Sequence, residues 1–370
     1  GLDPDERRRF ITEAPRLRPH LKLPGDKDGV VMADWWHSFR LTPVTHHQKL
    51  AVIDGKLLYI GGLDLNDRRY DTQDHKQAAE QTWHDVQVLL SGPEVEDALT
   101  HLETFESITQ GDIRPPPMRH LLRTISRKRH FNVMRLSPIP CVEELAQAHA
   151  SAVSRARRLI YLETQFFRDR RFARTLAKAA GRNPDLTLIL ILPAAPDDVA
   201  FENSTSGDAR YGEFLQAECV DIIRRAFGNR VFIGTPAQPR VSGRRDRSQT
   251  YGAPLVYLHA KVSIFDDDEA ILSSANLNGR SLHWDTEAGI RVDNPDEVAT
   301  LKRACFRHWL AHEPTPEFYD CGTAVESWRN RARDNVRRRP EERKGFILPY
   351  SARAARRFGR RFPGIPEEMV

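Results

Sequence analysis

Residues 259–281 read HAKVSIFDDDEAILSSANLNGRS, and residues 46–65 read HHQKLAVIDGKLLYIGGLDL. The two stretches align without gaps at an offset of 212 positions. His47 matches His259, Lys49 matches Lys261, and Asp54 matches Asp266. Gly61, Gly62 and Asp64 match Ser273, Ser274 and Asn276. One HxKxxxxD match in a chain of this composition arises by chance at a rate on the order of a few per cent. Two copies with the same tail make coincidence a poor account, so the chain reads as an internal duplication.

Each copy carries an acid further on, at the start of a strand-like run: Asp85 in TWHDVQV and Glu287 in DTEAGIRV. The insertion before the acid is ten residues longer in the first copy, so this equivalence is looser. Strand-like runs recur along the chain at KLAVID, LLYIGG, DVQVLL, FNVMRL, RLIYLE, LTLILILP, RVFIG, LVYLHAKVSIF and AILSSA. Helical periodicity fits residues around 94–108, 142–157, 169–180, 208–227 and 296–311. This alternation predicts an α/β fold with helices packed on both sheet faces. The Pro-rich GDIRPPPMRH at 111–120 reads as a connection between halves. The polar stretch 235–254 reads either as a flexible loop or as an active-site flap.

The bulk numbers exclude several classes. The 370 residues are 40% hydrophobic and 29% charged, ordinary for a globular protein. Net charge is +5, which leans toward anionic partners such as phosphate, lipid headgroups or nucleic acid. Between Arg329 and Arg361 there are 13 Lys/Arg against three acids, either a solvated helical face or an anionic-surface contact. Cys141, Cys219, Cys305 and Cys321 have neither CxxC spacing nor clustering with His, which argues against a zinc site and a disulfide framework. No apolar run reaches the ~18 residues of a membrane span. The expectation is a soluble or peripheral membrane protein, with a cytoplasmic location favoured.

Side chains at i and i+2 of a strand share a face. His47 and Lys49 therefore point together, as do His259 and Lys261. Taken singly, a strand histidine is more often a hydrogen-bonded core residue than a catalyst. A buried lysine is harder to explain, because an ammonium without an anion is costly. Two such pairs brought together make a positive pocket that a phosphodiester would balance. Lys49 and Lys261 would neutralise its oxygens, with Asn276 and Ser274 as hydrogen-bond donors. One histidine can attack phosphorus while the other protonates the leaving oxygen, giving a phosphohistidine. Asp85 and Glu287 would each accept a proton from the far imidazole nitrogen. With lysines supplying the charge, no metal and no cofactor is expected. Asp54 and Asp266 read as turn-stabilising acceptors, and Asp64 as structural.

These residues resemble the phospholipase D superfamily, whose HxKxxxxD motif with a trailing GSxN occurs twice per active site. The resemblance covers about residues 40–312. WHDVQVLLSGPEVEDAL, IYLETQFF and SSANLNGRS…DTE look closer to its phospholipid-cleaving branch. It implies His47 as nucleophile and His259 as general acid, an order the residues alone leave open. It also implies transphosphatidylation to alcohols through the phosphohistidine. The fold class expected is α/β, with two pseudo-symmetric lobes of mixed sheets flanked by helices and the active site at their interface. The expected bounds are a first lobe at 1–118, a linker at 119–125, a second lobe at 126–313 and a basic extension at 314–370. Asp64 stands where the motif's tail has Asn, a replacement common among phospholipases of this group, and Ser273 where Gly is usual. Only 46 residues precede His47, so the first lobe is expected to lack roughly 60–100 residues of core strands. A cleaved or separate N-terminal fragment is then an expected partner.

The expected activity is hydrolysis of glycerophospholipids at a membrane surface. A cardiolipin synthase-like phosphatidyltransferase and a nuclease of the same superfamily are the alternatives, and a non-catalytic phosphate- or lipid-binding module is a fourth reading. Trp35, Trp36, Trp83, His84 and Trp284 flank the motifs and read equally as core residues or as a headgroup pocket. The Arg- and Phe-bearing RAARRFGRRFPG reads as an interfacial basic patch.

Overall fold

The computed structural model describes residues 21–22, 32–33, 44–64, 69–129, 137–311 and 314–370. The run FNVMRL and the residues Trp35 and Trp36 lie outside these. The chain divides into two compact units. One comprises residues 1–43 and 131–137, where Leu21–Lys22 pairs antiparallel with Met32–Ala33. The other comprises residues 44–130 and 138–370 and holds both motifs.

This larger unit is built on a mixed nine-stranded sheet. Its order is Ile347–Pro349, Val231–Pro236, Thr187–Ile191, Leu159–Thr164, Lys261–Phe265, Glu269–Ser273, Glu287–Val292, Leu121–Arg127 and Ile139–Glu143. Thr187–Ile191 runs parallel to both neighbours, and the other pairings are antiparallel. The central strands alternate core against core. Leu159, Tyr161, Ile189 and Ile191 enter one apolar cluster, while Ile160, Leu162, Leu188 and Leu190 enter the other. Both faces are therefore buried, which explains the near-continuous apolar runs LIYL and TLILI. Helices Glu144–Arg155, Arg170–Arg182 and Gly207–Phe227 supply one cluster, and Pro295–Leu310 and Ala324–Arg337 the other.

The first motif lies in a three-stranded sheet, Leu50–Ile53, Leu57–Gly61 and Gln87–Leu90. Its hairpin matches Lys261–Phe265 and Glu269–Ser273 at the offset read from sequence. Both turns place the motif aspartate in the left-handed region, with φ 53° at Asp54 and 54° at Asp266. Leu58 and Ile60 share a core with Val262 and Ile264.

Several expectations need correction. Residues 121–125, expected within the connection, belong to a strand in which Leu121, Arg123 and Ile125 are buried. Arg123 obscured this, because a charged residue inside a strand reads as a break. It is compensated by two hydrogen bonds to Glu144, at 2.9 and 2.8 Å. The basic extension at 314–370 packs into the core. Trp328 and Ala332 of its helix are fully buried, and Ile347–Pro349 closes the sheet edge. Of LVYLHAKVSIF only Lys261–Phe265 is strand, so both motif histidines stand just outside regular structure. In the tail, Phe358 lies under Arg210 and Phe362 packs edge-on against Tyr211. The stretch 235–254 is braced, with Gln249–Thr250 paired to Ala253–Pro254 and Arg247 bonded to Glu213 at 2.6 Å. All four cysteines are free. Among the described residues, no helix is long and apolar enough to cross a membrane.

Candidate active site

Backbone hydrogen bonds tie each motif histidine to the segment carrying the other copy's acid. His47 N–H donates to Thr286 O and Thr286 N–H to Thr45 O, both at 3.0 Å. The same ladder recurs with His259 N–H to His84 O and His84 N–H to Tyr257 O, both at 2.8 Å. Thr286 thus delivers Glu287 to His47, and His84 delivers Asp85 to His259. His47 Nδ1 donates to Glu287 Oε1 at 2.9 Å, and His259 Nδ1 to Asp85 Oδ2 at 2.7 Å. The looser equivalence of the two acids is a close structural one, but each acid serves the opposite histidine. Holding the proton on Nδ1 leaves the Nε2 lone pair to meet a substrate.

The lysines turn back on their own motifs. Lys49 Nζ donates to His47 O at 2.7 Å and lies 3.3 Å from Asp64 Oδ1. Lys261 Nζ donates to His259 O and lies 3.4 Å from Gln165 Oε1. Asn276 Nδ2 shares that Gln165 oxygen at 3.4 Å, and Asn276 Oδ1 is buried without a partner. Lys49, Lys261, Asp64 and His47 all lie close enough to act on the charge of His259.

Burial and neighbours split the titrations. Burial lowers the Lys261 pKa to about 7, against the opposing pull of Asp85. Burial, then Lys261 and Lys49, hold His259 well below its usual value. Burial pushes Asp85 up, with Lys261 offsetting part of it. Burial also acts to raise Glu287, but His47, the Ser274 hydroxyl and Lys49 outweigh it and leave its pKa low. For Asp64, Lys49, His259 and Arg69 outweigh burial in the same direction.

Other expected residues find different work. Ser274 does not face open space. Its hydroxyl donates to Glu287 Oε2 at 2.5 Å. Its counterpart Gly62 has no room for a side chain, since a Cβ there would meet the Asp85 carboxylate. Asp266 accepts the backbone N–H groups of Arg157, Arg158 and Leu159 at 2.7–2.8 Å, capping the start of a central strand. Asp64 bridges Lys49 and Arg69, both at 3.3 Å. Trp83 lies against His259 with ring centroids 4.5 Å apart, under the Arg69 guanidinium. Trp284 is a buried residue whose carbonyl accepts the Ser126 hydroxyl. Sequence reasoning missed Gln165, Tyr257 and Arg69. Gln165 lies within the quoted IYLETQFF, where a polar residue in an apolar run was the available signal. Tyr257 carries no local signal, because its partner Gln165 is remote in sequence, whereas Arg69 lies five positions from its partner Asp64.

The family model described as "Cardiolipin synthase, PLD-like domain" matches residues 150–309, which include the second motif. Phospholipase D alpha 1 of Nicotiana tabacum is 22% identical over 382 residues, 71% of this chain and 47% of that protein. The chain is thus similar to phospholipase D superfamily proteins, through its second motif and along about 70% of its length. Phospholipase D alpha 1 of Oryza sativa subsp. japonica is 24% identical, with the same coverage on both sides. The chain spans about half the length of the curated relatives it matches. Among solved structures, phosphatidylserine synthase of Haemophilus influenzae Rd KW20 is similar at 12% identity and TM-score 0.45, over 70% of this chain and 60% of that one.

Proposed function

We propose that the chain is a phospholipase D-type phosphodiesterase that hydrolyses glycerophospholipids to phosphatidic acid and free headgroup. The observation that carries the reading is the crossed pairing of two His–Lys motifs with Glu287 and Asp85. His47 attacks phosphorus through Nε2, and its side chain is the more open of the two, 30% exposed against 5% for His259. His259 protonates the leaving headgroup oxygen. In the free site its pKa is held low by burial and the two lysines, so the phosphodiester anion must first offset that field and raise it. Lys49, Lys261 and Asn276 hold the non-bridging oxygens. His259, once deprotonated, activates water or an alcohol against the phosphohistidine, and an alcohol gives transphosphatidylation.

A transferase reading has its own support, since the matching family model carries the cardiolipin synthase description. The partner in both cases is phospholipid at a membrane surface. The test presents phosphatidylcholine vesicles with and without ethanol, phosphatidylglycerol vesicles, and an oligonucleotide. Hydrolysis predicts free headgroup, and phosphatidylethanol when ethanol is present. Cardiolipin from phosphatidylglycerol alone supports the transferase, and oligonucleotide cleavage alone sinks both lipid readings. Trapping of labelled phosphohistidine that is stable in alkali and lost in acid, in His259→Ala but not in His47→Ala, fixes the nucleophile, and the opposite pattern transposes the two roles.

A further inference from the structure

His84, the residue that delivers Asp85, belongs to a second buried cluster. One ring nitrogen from each of His75, His84 and His308 lies within 4.8 Å of the others. His75 Nδ1 donates to Asp71 Oδ2 at 2.6 Å, so its Nε2 carries the lone pair, and that atom faces His308 Nε2 at 3.0 Å. Asp71 is itself fixed by the Trp83 and Thr72 backbone N–H groups, both at 2.8 Å. Glu163 is fully buried beside them. Its Oε2 accepts from Tyr161 OH at 2.7 Å and Trp309 Nε1 at 3.1 Å. Its Oε1 lies 2.6 Å from His84 Nε2, yet the two atoms are not aligned for a hydrogen bond and neither has another partner.

Buried polar atoms without partners are uncommon and costly. Here the unpartnered pair adjoins the three-histidine group through His84, the one of the three that Glu163 closely approaches. Three neutral imidazoles and one carboxylate form the donor set of a tetrahedral zinc site. Both anchored ligands have the outer contacts that such sites use, Asp71 behind His75 and the Tyr161–Trp309 pair behind Glu163.

We propose that His75, His84, His308 and Glu163 bind one divalent transition-metal ion, with zinc as the best fit to these donors. The His84 and His308 rings stack at 4.1 Å between centroids. With four protein donors the ion is structural. It joins segment 71–84 to the strand Leu159–Thr164 and the helix Pro295–Leu310, and so steadies the backbone that presents Asp85 to His259. The four ligands are scattered over more than 200 positions, which hides them from any spacing rule.

Metal analysis of the full chain, a cobalt titration and chelation melts test this. The expected result is about one equivalent of zinc per chain, and visible bands of a four-coordinate nitrogen/oxygen site when cobalt replaces it. Strong chelation lowers Tm and zinc restores it. Asp71→Asn weakens the affinity roughly ten- to hundredfold, and His308→Gln weakens it further. Chelated protein that takes up neither ion and melts identically with and without zinc overturns the proposal. So does uptake unchanged in His308→Gln and His75→Gln. Should those variants not fold, the cobalt spectrum and melting cycle of the unmodified chain decide alone.

Discussion

Glu287 and Asp85 occupy equivalent backbone positions but are not electrically equivalent. Glu287 is held low by His47, the Ser274 hydroxyl and Lys49 acting against burial, whereas burial wins at Asp85. Glu287→Gln keeps the shape but removes the charge that stabilises a protonated His47. The expected result is a kcat lowered by about 10²–10⁴-fold with KM little changed, read by steady-state headgroup release. An equal rise in KM would instead mark Glu287 as part of the binding site. Lys261 supplies a pH prediction. Its positive charge is present below about pH 7 and lost as pH rises through that value. Phosphate neutralisation weakens with it, so kcat/KM should fall on the alkaline side of about 7 in the free enzyme. In Lys261→Arg the guanidinium stays charged, and that limb should move up by about two pH units or more. An unmoved limb assigns the titration to another group.

The duplicated hairpins diverge in what their turns support. Asp54 and Asp266 share the same left-handed backbone, but Asp266 also accepts three backbone N–H groups at the head of Leu159–Thr164. Asp54→Ala should cost about 1 kcal/mol, the strain of alanine at positive φ. Asp266→Ala should cost about 2–4 kcal/mol, since it also leaves those donors unpaired. Denaturant unfolding of the two variants checks the order, and equal losses would show that the cap contributes nothing.

Across the whole molecule, the C-terminal segment completes the core. Trp328 is fully buried and packs edge-on to Phe306 at 4.9 Å. Trp328→Ala should destabilise by about 3–5 kcal/mol, and deleting residues 314–370 should leave Val231–Pro236 without its edge partner and the protein insoluble. A soluble, active truncation would return the segment to the status of an appendage. The candidate site is likewise a property of the whole, because neither motif holds its own carboxylate.

The sequence by itself determined the duplication, most helices and several central strands of the second half, and the pairing of His47 and Lys49 with His259 and Lys261. Those signals are local: a short spacing, a period of two or 3.6, and a repeat at fixed offset. The sequence also matched Asp85 with Glu287, the two carboxylates that the structure places against the motif histidines. Tertiary structure alone decided which histidine each one serves, because that exchange is made by parallel bridges between remote segments. It also turned Ser274 from a phosphate donor into a partner of Glu287, and drew Arg123 and Trp328 into the interior. In each case a polar or terminal residue is stabilised by a contact distant along the chain, and no local pattern records such a contact.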